Sequence, residues 1–112
     1  MSLLDDLPAE ERKKVRRAGK ATWSPPMLAT LTHKHFSSPD WIYERKLDGE
    51  RVIAVRAGRS ANVYSRNQLT VNAAYPELVD ALERQNVDDF TIDGEVVAFD
   101  GRVTSFARLQ RR

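Results

Sequence analysis

Glu44, Lys46 and Asp48 alternate along Trp41-Ile42-Tyr43-Glu44-Arg45-Lys46-Leu47-Asp48, and Arg51 follows closely behind. Side chains alternate across a strand, so an extended 41–48 carries acid, amine and acid on one face. Trp41, Tyr43, Arg45 and Leu47 fall on the other. A row of this kind is often an ordinary solvated face. Here Gly49 lets the backbone turn closely after Asp48, and Arg51 then stands on the partner strand. Its planar guanidinium fork can grip phosphate or carboxylate oxygens at two points.

The elements that must position this set can be read from hydrophobic spacing. Residues 8–19 read as a helix, with Pro8 in the first turn, Glu10 and Glu11 at its positive end, Arg16 and Arg17 at its negative end and Gly19 as a stop. Its apolar content is thin. Residues 20–40 lack periodicity and carry Pro25, Pro26 and Pro39, as an ordered loop does. After the strand 41–48 and a turn at Gly49-Glu50, Val52-Ile53-Ala54-Val55 is a continuous apolar run, the mark of a strand buried on both faces. Gly58-Arg59-Ser60 predicts a turn before a strand over 61–65. Tyr75, Leu78, Val79 and Leu82 recur at helical spacing, so 76–85 is an amphipathic helix with Pro76 in its first turn. Strands over 90–93 and 95–99 are separated by Gly94, and Asp100-Gly101 is a turn signal. A short helix over 105–111 turns Phe106 and Leu109 inward. The fold class is α+β, a largely antiparallel sheet with flanking helices.

The chain has 112 residues, one domain's worth, and no cysteine, which excludes disulfides, thiolate chemistry and sulfur-ligated metals. No apolar run approaches the ~20 residues of a membrane span, and no secretory leader opens the chain. These absences lead us to expect a soluble, cytoplasmic protein without a membrane partner. The net charge of +2 hides an uneven distribution. Arg12, Lys13, Lys14, Arg16, Arg17 and Lys20 crowd the beginning, and Arg102, Arg108, Arg111 and Arg112 the end. Arg84 is the sole base among eight acids between Glu77 and Asp100. Basic ends around an acidic middle are compatible with a polyanionic partner, and solvated faces account for the same pattern. His33 and His35 have no nearby carboxylate pattern that would make a metal site, and Trp23 and Trp41 read as packing residues.

Lys46-Leu47-Asp48-Gly49-Glu50-Arg51 resembles the K-x-D-G-x-R signature of the covalent nucleotidyltransferases: ATP- and NAD-dependent DNA ligases, RNA ligases and capping enzymes. Ser65-Arg66-Asn67 is similar to the next conserved segment of ATP-dependent DNA ligases, and Ile92-Asp93-Gly94-Glu95-Val96-Val97 to their D-G-E strand. Pro26-Met27-Leu28-Ala29, Tyr75-Pro76-Glu77-Leu78, Ser105-Phe106 and Leu109-Gln110-Arg111 resemble the bacterial ligases of double-strand-break repair. The likeness covers roughly residues 23–112. It implies the N-terminal portion of an ATP-grasp-like nucleotidyltransferase (adenylation) domain, preceded by a basic helical arm over 1–22.

The resemblance implies roles residue by residue. Lys46 becomes the nucleophile that accepts AMP from ATP, with Mg²⁺ or Mn²⁺, and Glu44 contacts adenine. Arg51 and Arg66 hold ribose and phosphates, and Glu95 contacts the ribose. Asp48 orients or handles metal, because its charge opposes activation of the lysine. A lysine of pKa ~10.4 is less than about 0.1% neutral at pH 7, and a shift of ~3 units amounts to about 4 kcal/mol of bias against the ammonium. The implied function is that of a DNA ligase sealing nicks in double-stranded DNA during repair or recombination, at the nucleoid. An RNA ligase or capping-type enzyme shares the lysine signature, and a non-catalytic nucleic-acid-binding protein on a degenerate ligase fold is the alternative of another class.

Two departures matter. Gln68 stands where related ligases commonly have glycine, so a turn of positive φ there would be strained. The chain also stops before the family's adenine-stacking aromatic, its E-G-x-x-x-K and K-x-K motifs and its oligonucleotide-binding domain. The expectation is a chain inactive or weak in nick sealing alone. It would carry an uncovered apolar face or edge that favours a missing second half or a homodimer.

Overall fold

The computed structural model describes residues 4–16 and 18–111, so Arg17 and Arg112 lie outside it. Its elements, in order, are α1 (Ala9–Arg12), β1 (Glu50–Ala57), β2 (Ser60–Ser65), a 3-10 turn (Asn72–Ala74), α2 (Pro76–Glu83), β3 (Asp89–Val96), β4 (Phe99–Asp100), β5 (Val103–Thr104) and α3 (Phe106–Gln110). The expected α+β architecture is present: an antiparallel sheet in the order β2-β1-β3, beside a small β4-β5 hairpin.

β1 is the centre because its sequence can be buried on both sides. Val52, Ile53, Ala54 and Val55 are all buried, as the unbroken apolar run predicted. One face, formed by Val52 and Ala54 with Val63 of β2, packs against Leu78, Val79 and Leu82 of α2. Each such aliphatic side chain contributes about 1.5–3 kcal/mol when fully buried. The opposite face carries Arg51 and Ile53, and beside it Thr91 Oγ1 donates to the Thr22 carbonyl (2.9 Å), drawing the irregular segment 20–40 across β3.

Arg56 ends the α2-side row of β1 and is only 6% exposed. Its guanidinium donates to the Leu82 carbonyl (3.1 Å) and to the Gln85 carbonyl, at the end of α2 where helical C=O groups lack intrahelical partners. The outer edge of β2 is closed by its own chain. Val63 N–H donates to Asn72 Oδ1 (2.7 Å), Asn72 Nδ2 donates to the Ala61 carbonyl (3.1 Å), and Ala61 N–H donates to Glu83 Oε1 (3.0 Å). These bonds leave little of that edge for another strand.

The structure corrects three expected elements. Residues 41–48 form no strand: they join no ladder, and all eight are exposed. β2 and β3 occupy both hydrogen-bonding edges of β1, so no edge of it remains for them. Trp41 accordingly stands 63% exposed, with its ring edge-on to Phe36 (5.4 Å), and is not a core residue. Gly94 does not interrupt a strand. β3 runs through it in an eight-residue ladder in which Gly94 faces Val52. The helix expected over 8–19 is the single turn α1, with no buried residue. Its ion pairs Lys13–Glu10 and Lys14–Glu11 (both 2.8 Å) are exposed, and a short helix without tertiary packing is marginal.

Large apolar side chains remain uncovered along 27–47, notably Met27 (86% exposed), Leu31 (83%) and Ile42 (88%). Two local backbone features bear on the residues that carry the motifs. A Cβ on Gly49 would collide with the Val96 carbonyl oxygen and reach within 2.9 Å of Val97 Cγ1, so the chain leaves the lysine segment pressed against the end of β3. Gln68 has φ +64°, the left-handed conformation its sequence position raised as a problem.

Gly49→Ala is therefore expected to destabilise the chain by about 2 kcal/mol. Gly94→Ala, whose Cβ meets nothing within 4 Å, should stay within about 0.5 kcal/mol of the parent in urea unfolding. Gln68→Gly should raise stability by about 0.5 kcal/mol, the relief of left-handed strain being partly offset by glycine's greater unfolded-state freedom. A shift of the urea midpoint in the opposite direction would refute that account.

Candidate functional site

The lysine segment reaches its place without a sheet partner, so its position rests on single hydrogen bonds. Arg45 Nη2 donates to the Arg102 carbonyl (3.0 Å), and Asp48 N–H donates to Thr104 Oγ1 (2.8 Å). Beside these ties, Glu44, Arg45, Lys46 and Leu47 line an open hollow of about 530 Å³ together with Arg51, Asp93 and Glu95. Lys46 is an exposed residue.

Arg51 and Glu95 face each other across the β1–β3 ladder, and their side chains emerge on the face opposite α2. The same two residues also line a second hollow of about 410 Å³ with Gly49, Ser65, Arg66 and Asn67. The two hollows thus share Arg51 and Glu95. Glu44 and Lys46 belong to one side of them and Arg66 to the other. Of the six residues singled out by sequence, Asp48 alone lines neither. Its Oδ2 accepts from the N–H (3.1 Å) of Phe106, the first residue of α3, which itself lines the second hollow. The shared strand face expected for Glu44, Lys46 and Asp48 therefore does not exist, because 41–48 is not a strand.

The strongest charged contact in the site joins a residue that the motif reading passed over. Asp93 meets Arg51 through two parallel bonds, Nε to Oδ1 and Nη2 to Oδ2 (both 2.6 Å), a bidentate fork. Arg51 Nη2 also donates to the Met27 carbonyl (3.2 Å), so one guanidinium joins β1, β3 and the N-terminal segment. The hydrogen bond from Arg51 holds the Asp93 carboxyl below its ordinary value and raises the guanidinium further. The sequence signal for Asp93 was its place two residues before Glu95, on the same strand face. Thr104, a buried hydroxyl that accepts from Asp48, had no sequence signal. Among the described residues no group of three or more His, Cys, Asp or Glu side chains is arranged to hold a metal ion, and no helix is long and apolar enough to cross a membrane.

The Arg51–Asp93 fork carries a pH signature. A carboxyl lowered on folding stabilises fully above its unfolded value, near pH 4, and loses that contribution as pH falls through the lowered value. Arg51 stays protonated throughout. Asp93→Asn should lower the Tm slightly at pH 7, by the equivalent of under about 1 kcal/mol because the pair is half-exposed. The variant and parent curves should converge toward pH 2. An equal difference at both pH values would show that the ion pair is not its source.

Comparison with known proteins places the chain in a family. The ATP dependent DNA ligase domain family matches residues 26–112. A DNA ligase of Methanocaldococcus jannaschii is 36% identical over 98% of this chain and 20% of its own length. DNA ligase C of Mycobacterium tuberculosis is 36% identical over 66% of this chain and 21% of its own length. The crystal structure of the ligase domain from M. tuberculosis LigD superposes with a TM-score of 0.55 at 34% identity, covering 62% of this chain and 23% of that one. The chain spans about a fifth of the length of these curated relatives. With a matched family covering most of its residues and the motif side chains gathered around Arg51 and Glu95, the chain belongs to the ATP dependent DNA ligase domain family.

Proposed function

We propose that the chain supplies the nucleophile-bearing portion of an ATP-dependent DNA ligase, with residues 23–112 as the N-terminal part of its adenylation domain and 1–22 as a basic arm. The observation that carries this reading is the joining of the two hollows. Lys46 and Glu44 on one side and Arg66 on the other meet at the shared pair Arg51 and Glu95. That geometry supports a single elongated anionic ligand with its reactive phosphorus near Lys46.

The substrate is ATP as its magnesium or manganese complex, the ion being held largely by phosphate oxygens, as is usual for Mg²⁺ at nucleotide sites. The neutral amine of Lys46 attacks the α-phosphorus. A P–N bond forms, the bond from the α-phosphorus to the bridging oxygen breaks, pyrophosphate leaves, and the ammonium proton passes to solvent. Glu44 contacts the adenine and Glu95 the ribose, while Arg51 and Arg66 grip phosphate oxygens through their forks. Asp48 orients the lysine segment. AMP then moves to the 5′-phosphate of a nick in double-stranded DNA, and the 3′-hydroxyl displaces it to close the strand.

Stabilising the charge that develops at the phosphoryl group is the larger catalytic demand. Lys46 stands on an exposed segment, and of the two arginines assigned to the phosphates only Arg51 lines its hollow. These 112 residues alone are therefore expected to seal nicks poorly or not at all. Intact-mass analysis after incubation with ATP and Mg²⁺ tests the reading: an AMP-sized increase is expected, lost in Lys46→Ala. An adduct with GTP and not ATP would favour a capping-type enzyme. Salt-sensitive DNA binding with no adduct would favour a non-catalytic relative.

A further inference from the structure

The lysine segment is held by the C-terminal hairpin and helix. Thr104 and Arg56 are the buried polar residues among those described, and Thr104 is 6% exposed. A buried hydroxyl needs a partner. The partner of Thr104 is the backbone of the residue two positions after Lys46: Asp48 N–H donates to Thr104 Oγ1 at 2.8 Å. The Asp48 carboxylate reciprocates by accepting from Phe106 N–H at 3.1 Å. On the other side of Lys46, Arg45 reaches the Arg102 carbonyl at 3.0 Å.

The receiving unit is itself anchored. Thr104 pairs with Phe99 in the β4-β5 hairpin, and Ser105 N–H donates to the Ala98 carbonyl (2.8 Å). Ser105 Oγ accepts from Arg108 N–H (3.2 Å), a helix N-cap, and Leu109 is 4% exposed. Segment 41–48 has no ladder of its own. We propose that Thr104 is a positioning residue for Lys46: its hydroxyl, with the returning bond from Asp48 to Phe106, clasps the lysine segment to a rigid hairpin–helix unit and fixes where the amine stands.

The role rests on the reading of Lys46 as the nucleophile, while the clasp itself can be tested without chemistry. In Thr104→Val the side chain keeps its size and loses its acceptor, and in Thr104→Ser the acceptor stays. Misplacing a nucleophile by about 1 Å can cost on the order of 10²-fold. The rate of adduct formation on Lys46 in the full chain is expected to fall about tenfold to hundredfold in Thr104→Val. ATP affinity should stay within about twofold, and Thr104→Ser should recover most of the rate.

NMR gives the independent readout. In the parent, the Asp48 amide is protected from exchange and the Lys46 backbone order parameter lies near the rigid value of ~0.85. In Thr104→Val the protection is lost and the order parameter drops below ~0.6, and Thr104→Ser restores both. A Lys46 backbone that stays rigid in Thr104→Val overturns the proposal, as does an unprotected Asp48 amide in the parent. If Thr104→Val does not fold, that parent measurement and Thr104→Ser decide: a serine variant without protection removes the hydroxyl as the cause. Absence of any adduct in the parent refutes the nucleophile reading, and the NMR outcome still decides the clasp.

Discussion

Everything in this chain depends on β1 having both faces and both edges occupied. Its apolar run has no solvent-facing side, so α2 must cover one face, and β2 and β3 must satisfy its backbone donors and acceptors along nearly the whole strand. A strand so enclosed is rigid at its centre. The residue at its open end, Arg51, inherits that rigidity and reaches Asp93, the hollow beside Lys46 and the hollow beside Arg66 from one backbone position.

The same enclosure has a cost for the lysine segment. With no strand edge free, residues 41–48 cross the surface as an irregular chain. They are placed by a few long-range hydrogen bonds to residues more than fifty positions later in sequence. Gly49 permits this arrangement because the chain passes so close to the Val96 carbonyl that no side chain fits. The basic residue that would do chemistry thus sits on the least regular part of the site, and the arginines and glutamate that would hold a ligand sit on or beside the most regular part.

Much of the sheet and α2 was legible because their signals are local. Four apolar residues in a row at 52–55, helical spacing through Tyr75, Leu78, Val79 and Leu82, and glycines at 58 and 101 with φ of +64° all act within a few residues. The positive φ at Gln68 was raised only by the resemblance, because related ligases commonly carry glycine there. The strand read over 41–48 failed because β-propensity and alternation describe a residue's fitness for a ladder and not whether an edge is available. The helix read over 8–19 shrank to α1 because caps and charges at its ends cannot replace a buried stripe. Asp93 was written in the D-G-E segment, yet its pairing with Arg51 follows only from the β1–β3 register.

By itself, the sequence determined the family and the chemical types in the motif, because its lysine, glycine and arginine lie within six residues whose spacing survives in one dimension. It also determined β1, whose burial is encoded in its own composition. Tertiary structure alone decided that Asp48 bonds the first residue of α3, that Arg51 is forked onto Asp93, and that Thr104 accepts from the lysine segment. These are contacts between residues about forty to sixty positions apart. Nothing in either partner's neighbourhood specifies them; they arise when β1 claims its two neighbours and the remaining polar groups must find partners where the chain then lies.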